Sequence, residues 1–484
     1  MEKGKGRLKV AETFAKFVFD TTFEDLSQEV VHQTKRLILD TIGCALGGYY
    51  AEGSKMVRRL ARSWGGDPQS SVLGGGWKTS CVNAAWVNGY LGMAIDADDT
   101  FIAHPAVPVI FGILPIAEHL KANGKELITA VATGYDVVAR FGLSVEPEFR
   151  PTKEGFSLKP VSGMGWKILG AAAGAGKILG LSEEETIHSL CLSAQFSRAP
   201  SAAKWSFPLE SLPLSKYYDA GGTAQSGLTA ALLAGEGMTS PTTLLDGRYG
   251  FYRMQGNNEC NVDFMFEGLG KKWWIMETSF KPWPSCRLTH HALTAFEKII
   301  RDNQIQGDEI ERVVAKGGLM YNPIFSDIKP KTPVNRQFSL SHSMANIAFD
   351  IRRGPLWHDA SKADEQRMMK FREKVKIESD PETLKVVAED FDGPPPHFFK
   401  RVPTTVEVTA HGKVFTEYVE FAKGDPWSPD SVMTDDELKE KFREQALSLS
   451  MSSNWRQKIE EIIAGLYDLE AVKDISNLIG QFSP

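Results

Sequence analysis

The stretch Gly163-Met164-Gly165-Trp166-Lys167-Ile168-Leu169-Gly170-Ala171-Ala172-Ala173-Gly174-Ala175-Gly176-Lys177 decides between two folds for this chain. Glycines crowded before a lysine invite a phosphate-cradling loop and the parallel sheet that carries one. The residue pattern rejects that reading. Ile178 follows Lys177 where a P-loop carries Ser or Thr, and Ala171 stands where its first glycine belongs. No Gly-x-Gly-x-x-Gly follows a strand-like run either. Small residues every three or four positions instead describe a helix face made for close contact with other helices.

The flanking sequence repeats the pattern. Residues 8–268 read as helical almost throughout. Val30, Val31, Thr34, Leu37, Ile38 and Ile42 give Gln28 to Leu46 helical spacing. Cys81–Ile95, Val107–Asn123, Lys125–Phe141, Trp166–Leu179, Glu183–Ser197 and Thr223–Glu236 are further apolar helix candidates. Asn123-Gly124 and Leu179-Gly180 supply stop signals. Near Gly268 the character changes. Prolines multiply, and β-branched alternation appears in Glu311–Lys316, Lys374–Glu378 and Thr404–Phe421, the last reading as a hairpin turning at His411-Gly412. Helical candidates at Thr289–Asp302, Leu340–Arg352 and Ala360–Phe371 lie between these strands. A charged helical tail, Thr434–Pro484, follows. The expectation is a mainly α protein. A large all-helical domain (1–268 and 425–484) is built from both chain ends, and a smaller α+β lid domain spans 269–424.

Composition narrows the class. At 484 residues the chain exceeds a single ordinary core. A charge of −6 argues against a nucleic-acid partner, because phosphate binding needs a basic footprint. Cys44, Cys81, Cys191, Cys260 and Cys286 form no Cys-x-x-Cys pair, so no zinc or iron–sulfur site is expected and free thiols in a reducing cytoplasm are. The N-terminal Met1-Glu2-Lys3-Gly4-Lys5-Gly6-Arg7-Leu8 has no apolar signal core. No run approaches the ~18 apolar residues of a membrane span.

Three polar constellations interrupt the apolar background. Asp96-Ala97-Asp98-Asp99-Thr100-Phe101-Ile102-Ala103-His104-Pro105 sets three carboxylates, a hydroxyl and an imidazole between two core-forming segments. Like charges this close resist burial unless something cationic, or a proton in transit, needs them. The competing reading is a solvated turn with Asp98 or Asp99 as a helix N-cap. Lys216 precedes a small-residue helix, where a bound carboxylate or a snorkelling stem would account for it. Lys281-Pro282-Trp283-Pro284-Ser285-Cys286-Arg287-Leu288-Thr289-His290 presents Lys281, Arg287 and His290 on proline-stiffened backbone, suited to grasping a polyanionic small molecule or to an interdomain hinge. Cys286 also stands one helical turn from His290, as a nucleophile would. Tyr321-Asn322-Pro323 and Asn335–Leu340 are loops of the smaller domain, with Ser339 a candidate cap.

Taken in order, these segments resemble the MmgE/PrpD family, which includes 2-methylcitrate dehydratase, cis-aconitate decarboxylase and iminodisuccinate epimerase. The resemblance runs from Leu39-Asp40-Thr41-Ile42-Gly43-Cys44 through the Asp-Asp-Thr cluster with His104-Pro105, and Gly170-Ala171-Ala172-Ala173 with Lys177-Ile178-Leu179-Gly180-Leu181. It continues in Lys216 with Gly221, Leu245-Asp246-Gly247, Phe280-Lys281-Pro282-Trp283-Pro284, Cys286, His290, Phe338-Ser339 and Lys423-Gly424-Asp425-Pro426.

The resemblance implies a helical domain under an α+β lid with the active site between them, a homodimer, and no metal or organic cofactor. Asp96, Thr100, His104, Lys216, Lys281 and His290 match the family's motif positions, and Tyr321 matches a lid tyrosine more loosely. The spacing to His104 is about two residues shorter than usual. Ser157 stands after Gly155-Phe156, where the family carries an active-site histidine, and Asp219 replaces a residue that is often histidine. The resulting expectation is a cofactor-independent cytoplasmic lyase acting on a small di- or tricarboxylate, foremost a hydro-lyase dehydrating a 2-methylcitrate-like hydroxy acid. In it His104, Asp96 and Lys216 are catalytic, with Asp96 orienting His104. Thr100, Lys281, Arg287, His290 and Tyr321 bind substrate. An epimerase, a decarboxylase and a catalytically silent binding protein are the alternatives.

Overall fold

A computed structural model describes residues 9–147, 149–152, 155–159, 163–198, 211–317, 324–393, 395–398 and 400–484. The protein is mainly α, with a smaller α+β portion. Helix starts follow local chemistry. Ser27 accepts from Val30 N at the head of Gln28–Gly48, and Asn123, Ser182 and Thr434 each form a capping box with the glutamate three residues on. Gly180 closes Lys167–Leu179 in the left-handed conformation (φ +67°), where a side chain would be strained.

The glycine-rich stretch is the buried helix Lys167–Leu179, as its small-residue spacing predicts. A Cβ at Gly170 would meet Gly134 O at 2.5 Å, and one at Gly112 would meet the Ala171 Cβ at 2.7 Å. The backbones of Ala106–His119, Gly124–Ser144, Lys167–Leu179 and Tyr218–Gly235 therefore come together where any larger residue would wedge them apart. The tail returns to this body: Asp435–Ala446 and Ser453–Tyr467 both pack on Gln28–Gly48.

Two departures fall inside the region read as helical. Ser70–Val72 pairs with Trp77–Thr79, and Phe149–Thr152 with Gly155–Leu158, both as short antiparallel hairpins. The first turns through Gly74 and Gly76, both at positive φ, a turn signal that outweighs weak helical spacing. In the smaller portion the four-stranded sheet runs in the order Val375–Glu378, Ile310–Gly317, Thr404–Ala410, Lys413–Val419. The first pair is parallel and the others antiparallel, with the expected hairpin turning at His411-Gly412. The helix expected over Leu340–Arg352 ends at Ala348, and Ala360–Phe371 is two short helices, Ala360–Ala363 and Gln366–Arg372. Ser339 caps its helix by accepting from His342 N, and Thr289 Oγ1 donates to Cys286 O. Among the described residues no helix is long and apolar enough to cross a membrane.

Arg140 holds the segment where the composition changes. It pairs with Asp136 at 2.5 Å and donates to the carbonyls of Met265, Glu267, Gly268 and Lys272. This fixes the path of the chain as it leaves the helical body for the Lys281 loop.

Candidate active site

Residues 96–105 form the crossing between the helices Cys81–Met93 and Ala106–His119. Asp96 (φ +57°), Ala103 (+79°) and His104 (+59°) all occupy the left-handed region. Such strain costs of order 1–3 kcal/mol per residue and persists only where surrounding structure imposes it. The surroundings do so here. Thr100 and Ser279 exchange backbone hydrogen bonds at 3.0 and 2.9 Å, Gln337 Nε2 donates to Ala94 O at 3.1 Å, and His358 Nε2 lies 3.3 Å from Ile95 O.

The carboxylates are buried against cations. Lys281 Nζ lies 2.9 Å from Asp96 Oδ1, 3.0 Å from Asp96 O and 3.8 Å from Asp98 Oδ1, all fully enclosed. Lys216 Nζ lies 3.5 Å from Asp96 Oδ2, between the rings of Tyr217 and Phe338. Asp98 Oδ2 is 3.2 Å from His104 Nδ1, which also lies 2.7 Å from Asp99 O. Two acceptors at Nδ1 assign a ring proton there, with Nε2 the nitrogen on the far side of the ring. His104 is the exposed end of the assembly, its side chain 23% accessible beside an Asp98 at 0%.

Charge partners sort the three carboxyls. Burial works against ionising Asp96, but Lys216 and Lys281 override it and hold its carboxyl well below the usual range. Burial also opposes ionising Asp98, but His104 and Lys281 lower its carboxyl from the usual value. Asp99 is pushed well above the usual range by burial and by Asp98, which outweigh the weaker pull of Lys281, and its oxygens accept from Ala106 N at 3.3 Å. Asp99 is thus the helix-start carboxyl the sequence allowed for. Asp98, expected to share that role, belongs to the ionic centre, and it, rather than Asp96, lies against His104.

The other expected residues occupy distinct places. Thr100 joins the centre through its backbone pairing with Ser279. Arg287 Nη2 is held by Asp425, while Nη1 is buried without a hydrogen-bond partner among the described residues. His290 is fully buried, its Nε2 3.2 Å from Ser285 Oγ and Ser285 O, so it braces the turn that carries Lys281. Burial and the Arg287 charge push His290 well below the usual histidine range. Cys286 has its thiol pushed up to about 11 by burial. Tyr321 lies outside the described residues. Ser157 is exposed on the Gly155–Leu158 strand, and Asp219 pairs with Lys167 at 2.6 Å.

Beneath the centre the sequence reading missed a second ion pair. Lys441 Nζ lies 2.6 Å from Asp40 Oδ1 and donates to Ala97 O at 2.6 Å. The signal was present: Lys441 and Gln445 share a helix face with Leu438 and Phe442, and all four are buried. Among the described residues no three His, Cys, Asp or Glu side chains are grouped to hold a metal ion. An open depression of about 620 Å³, lined by Lys16, Phe17, Asp20 and Trp273 among others, shares no residue with the ionic centre.

Lysine, carboxylate and imidazole side chains, a set able to hold anions and pass a proton, thus converge from both halves of the chain. Comparison with known proteins agrees. The MmgE/PrpD N-terminal domain matches residues 12–261 and the MmgE/PrpD C-terminal domain residues 283–466. The chain is 25% identical to cis-aconitate decarboxylase of Mus musculus, over 97% of this chain and 92% of that protein. It is 25% identical to the Homo sapiens cis-aconitate decarboxylase, over 98% and 95%. The cis-aconitate decarboxylase-like protein oryM of Aspergillus oryzae is 24% identical over 95% and 94%. With both domains matched in order across most of its length, the chain belongs to the MmgE/PrpD family.

Proposed function

We propose that this protein is a cofactor-independent lyase acting on a small tricarboxylate, and that it breaks a carbon–carbon bond to release CO2. The observation that carries the reading is the Asp98–His104 pair at the open end of a buried lysine–carboxylate centre. The names of the relatives support it, each being a cis-aconitate decarboxylase or like one.

Loss of CO2 leaves the electron pair of the broken bond on the carbon skeleton, where an adjacent unsaturated carboxylate delocalises it. Lys216 and Lys281 place fixed positive charge beside that developing anion. One proton then completes the product: His104 takes it up from solvent at Nε2 and delivers it to the carbon, returning to the Nδ1–H form held by Asp98 and Asp99 O. Dehydration, the first expectation from sequence, needs a base for a carbon-bound proton and an acid for the leaving hydroxyl. The described site offers one partly exposed imidazole, with Ser157 where the resemblance puts a second. Decarboxylation is therefore the better match to a single proton carrier.

The test is a turnover panel of cis-aconitate, citrate and 2-methylcitrate followed by NMR. Loss of CO2 from the unsaturated tricarboxylate is expected. Thermal stabilisation by these acids without turnover of any would overturn the lyase and leave a binding protein.

A further inference from the structure

Tyr217 follows Lys216 at the head of the Tyr218–Gly235 helix, and nothing in the mechanism above uses it. Its side chain is enclosed, at 1% accessibility. Its ring is covered by the Lys216 ammonium, 4.2 Å from the centroid, which sets the phenol beside the lysine. Its hydroxyl is buried with no hydrogen-bond partner among the described residues. Such a hydroxyl is a standing cost to folding, and a phenylalanine would fill the space without it. The nearby oxygens of Asp96 and Asp98 are engaged with Lys216, Lys281 and His104.

We propose that Tyr217 is a substrate-binding residue whose hydroxyl donates to a carboxylate oxygen of the polycarboxylate held by Lys216. Burial and the negative charges of Asp96 and Asp98 push its phenol well above the usual range, so the group stays a neutral donor. A neutral donor suits this place. It satisfies a carboxylate lone pair that the lysine cannot reach, without adding a third buried cation to a centre whose charges already pair. The chemical class required is an anion with at least two separated carboxylates, one for Lys216 and Tyr217 together and another for the His104 side.

This inference rests on the tricarboxylate reading above, and its test separates the two. Binding of cis-aconitate and of citrate to wild type and Tyr217→Phe is measured by calorimetry, with ligand-free melting alongside. The expected result is dissociation constants raised about tenfold or more in the variant, as for a lost hydrogen bond to a charged group, with the ligand-free melting temperature unchanged or higher. Tyr217→Leu, lacking the same hydroxyl, is expected to bind as weakly and serves if the first variant folds poorly. Equal affinities in wild type and Tyr217→Phe would overturn the role of Tyr217 and leave the tricarboxylate reading standing. Failure of wild type to bind either acid would overturn both.

Discussion

Asp98 Oδ2 stands 3.2 Å from His104 Nδ1, and this contact sets the working face of the imidazole. Asp98→Asn keeps the shape but exchanges a carboxylate for an amide that offers Nδ1 no charge. The expected outcome is a fall in kcat of about 100-fold, the low end of the usual range for acid–base groups, with KM changed far less. Steady-state kinetics read it. Asp96→Asn is expected to act differently, raising KM strongly because Lys216 and Lys281 lose their common anchor.

Adjacent carboxyls titrate in opposite senses. Asp98 is held below its unfolded value, so its contribution is present above about pH 4 and is lost as pH falls through the folded value. Asp99 is raised above its unfolded value, so its contribution is full below about pH 4 and is lost as pH rises through the folded value. Scanning calorimetry from pH 3 to 9 is expected to show Asp99→Asn gaining on wild type as pH rises. Asp98→Asn is expected to be less stable at neutrality and to converge with wild type in acid.

The Asp40–Lys441 pair ties the tail to the 96–105 crossing through Ala97 O. Lys441→Met strands the Asp40 carboxylate in the core and is expected to cost about 3–5 kcal/mol in denaturant unfolding. The double variant Asp40→Leu/Lys441→Met is expected to recover most of that stability, since a buried pair can be replaced by apolar packing at little cost. Turnover is not expected to recover with it, because Ala97 O remains unanchored.

Cys286 carries a thiol pushed up to about 11, a protonated and poor nucleophile at neutral pH. Cys286→Ala is expected to keep turnover within about fivefold, and iodoacetamide to label this position slowly at pH 8. Rapid labelling with loss of activity would return Cys286 to the nucleophile role its spacing from His290 first allowed.

Helix identity was legible because it rests on local chemistry. The Ser27, Ser182 and Thr434 caps and the small-residue stripe around Gly170 are written in adjacent residues, whereas Asn123-Gly124, expected as a stop, starts the next helix with Asn123 as its N-cap, and the preceding helix ends at His119. The two short hairpins were not legible, since three- and four-residue strands are held by their turns rather than by a period. For the site, residue types located the cluster at 96–105, but pairing within it depended on backbone geometry. The positive φ at Asp96, Ala103 and His104 folds the crossing back on itself, which brings Asp98 to the imidazole and turns Asp96 toward two lysines from distant segments. Asp40 with Lys441 shows the limit most plainly. Each residue was visible on an apolar helix face, yet partners 401 positions apart meet only through tertiary packing.

In the proposed reaction His104 delivers one proton after CO2 departs. Proton NMR of cis-aconitate turnover in deuterated water, with wild type and His104→Asn in parallel, tests this most directly. The account predicts that wild type releases CO2 and places a single solvent deuteron in the product, and that His104→Asn, folded by circular dichroism, is slower by at least about 100-fold. Undiminished turnover by His104→Asn, or elimination of water from 2-methylcitrate with cis-aconitate left untouched, would contradict it.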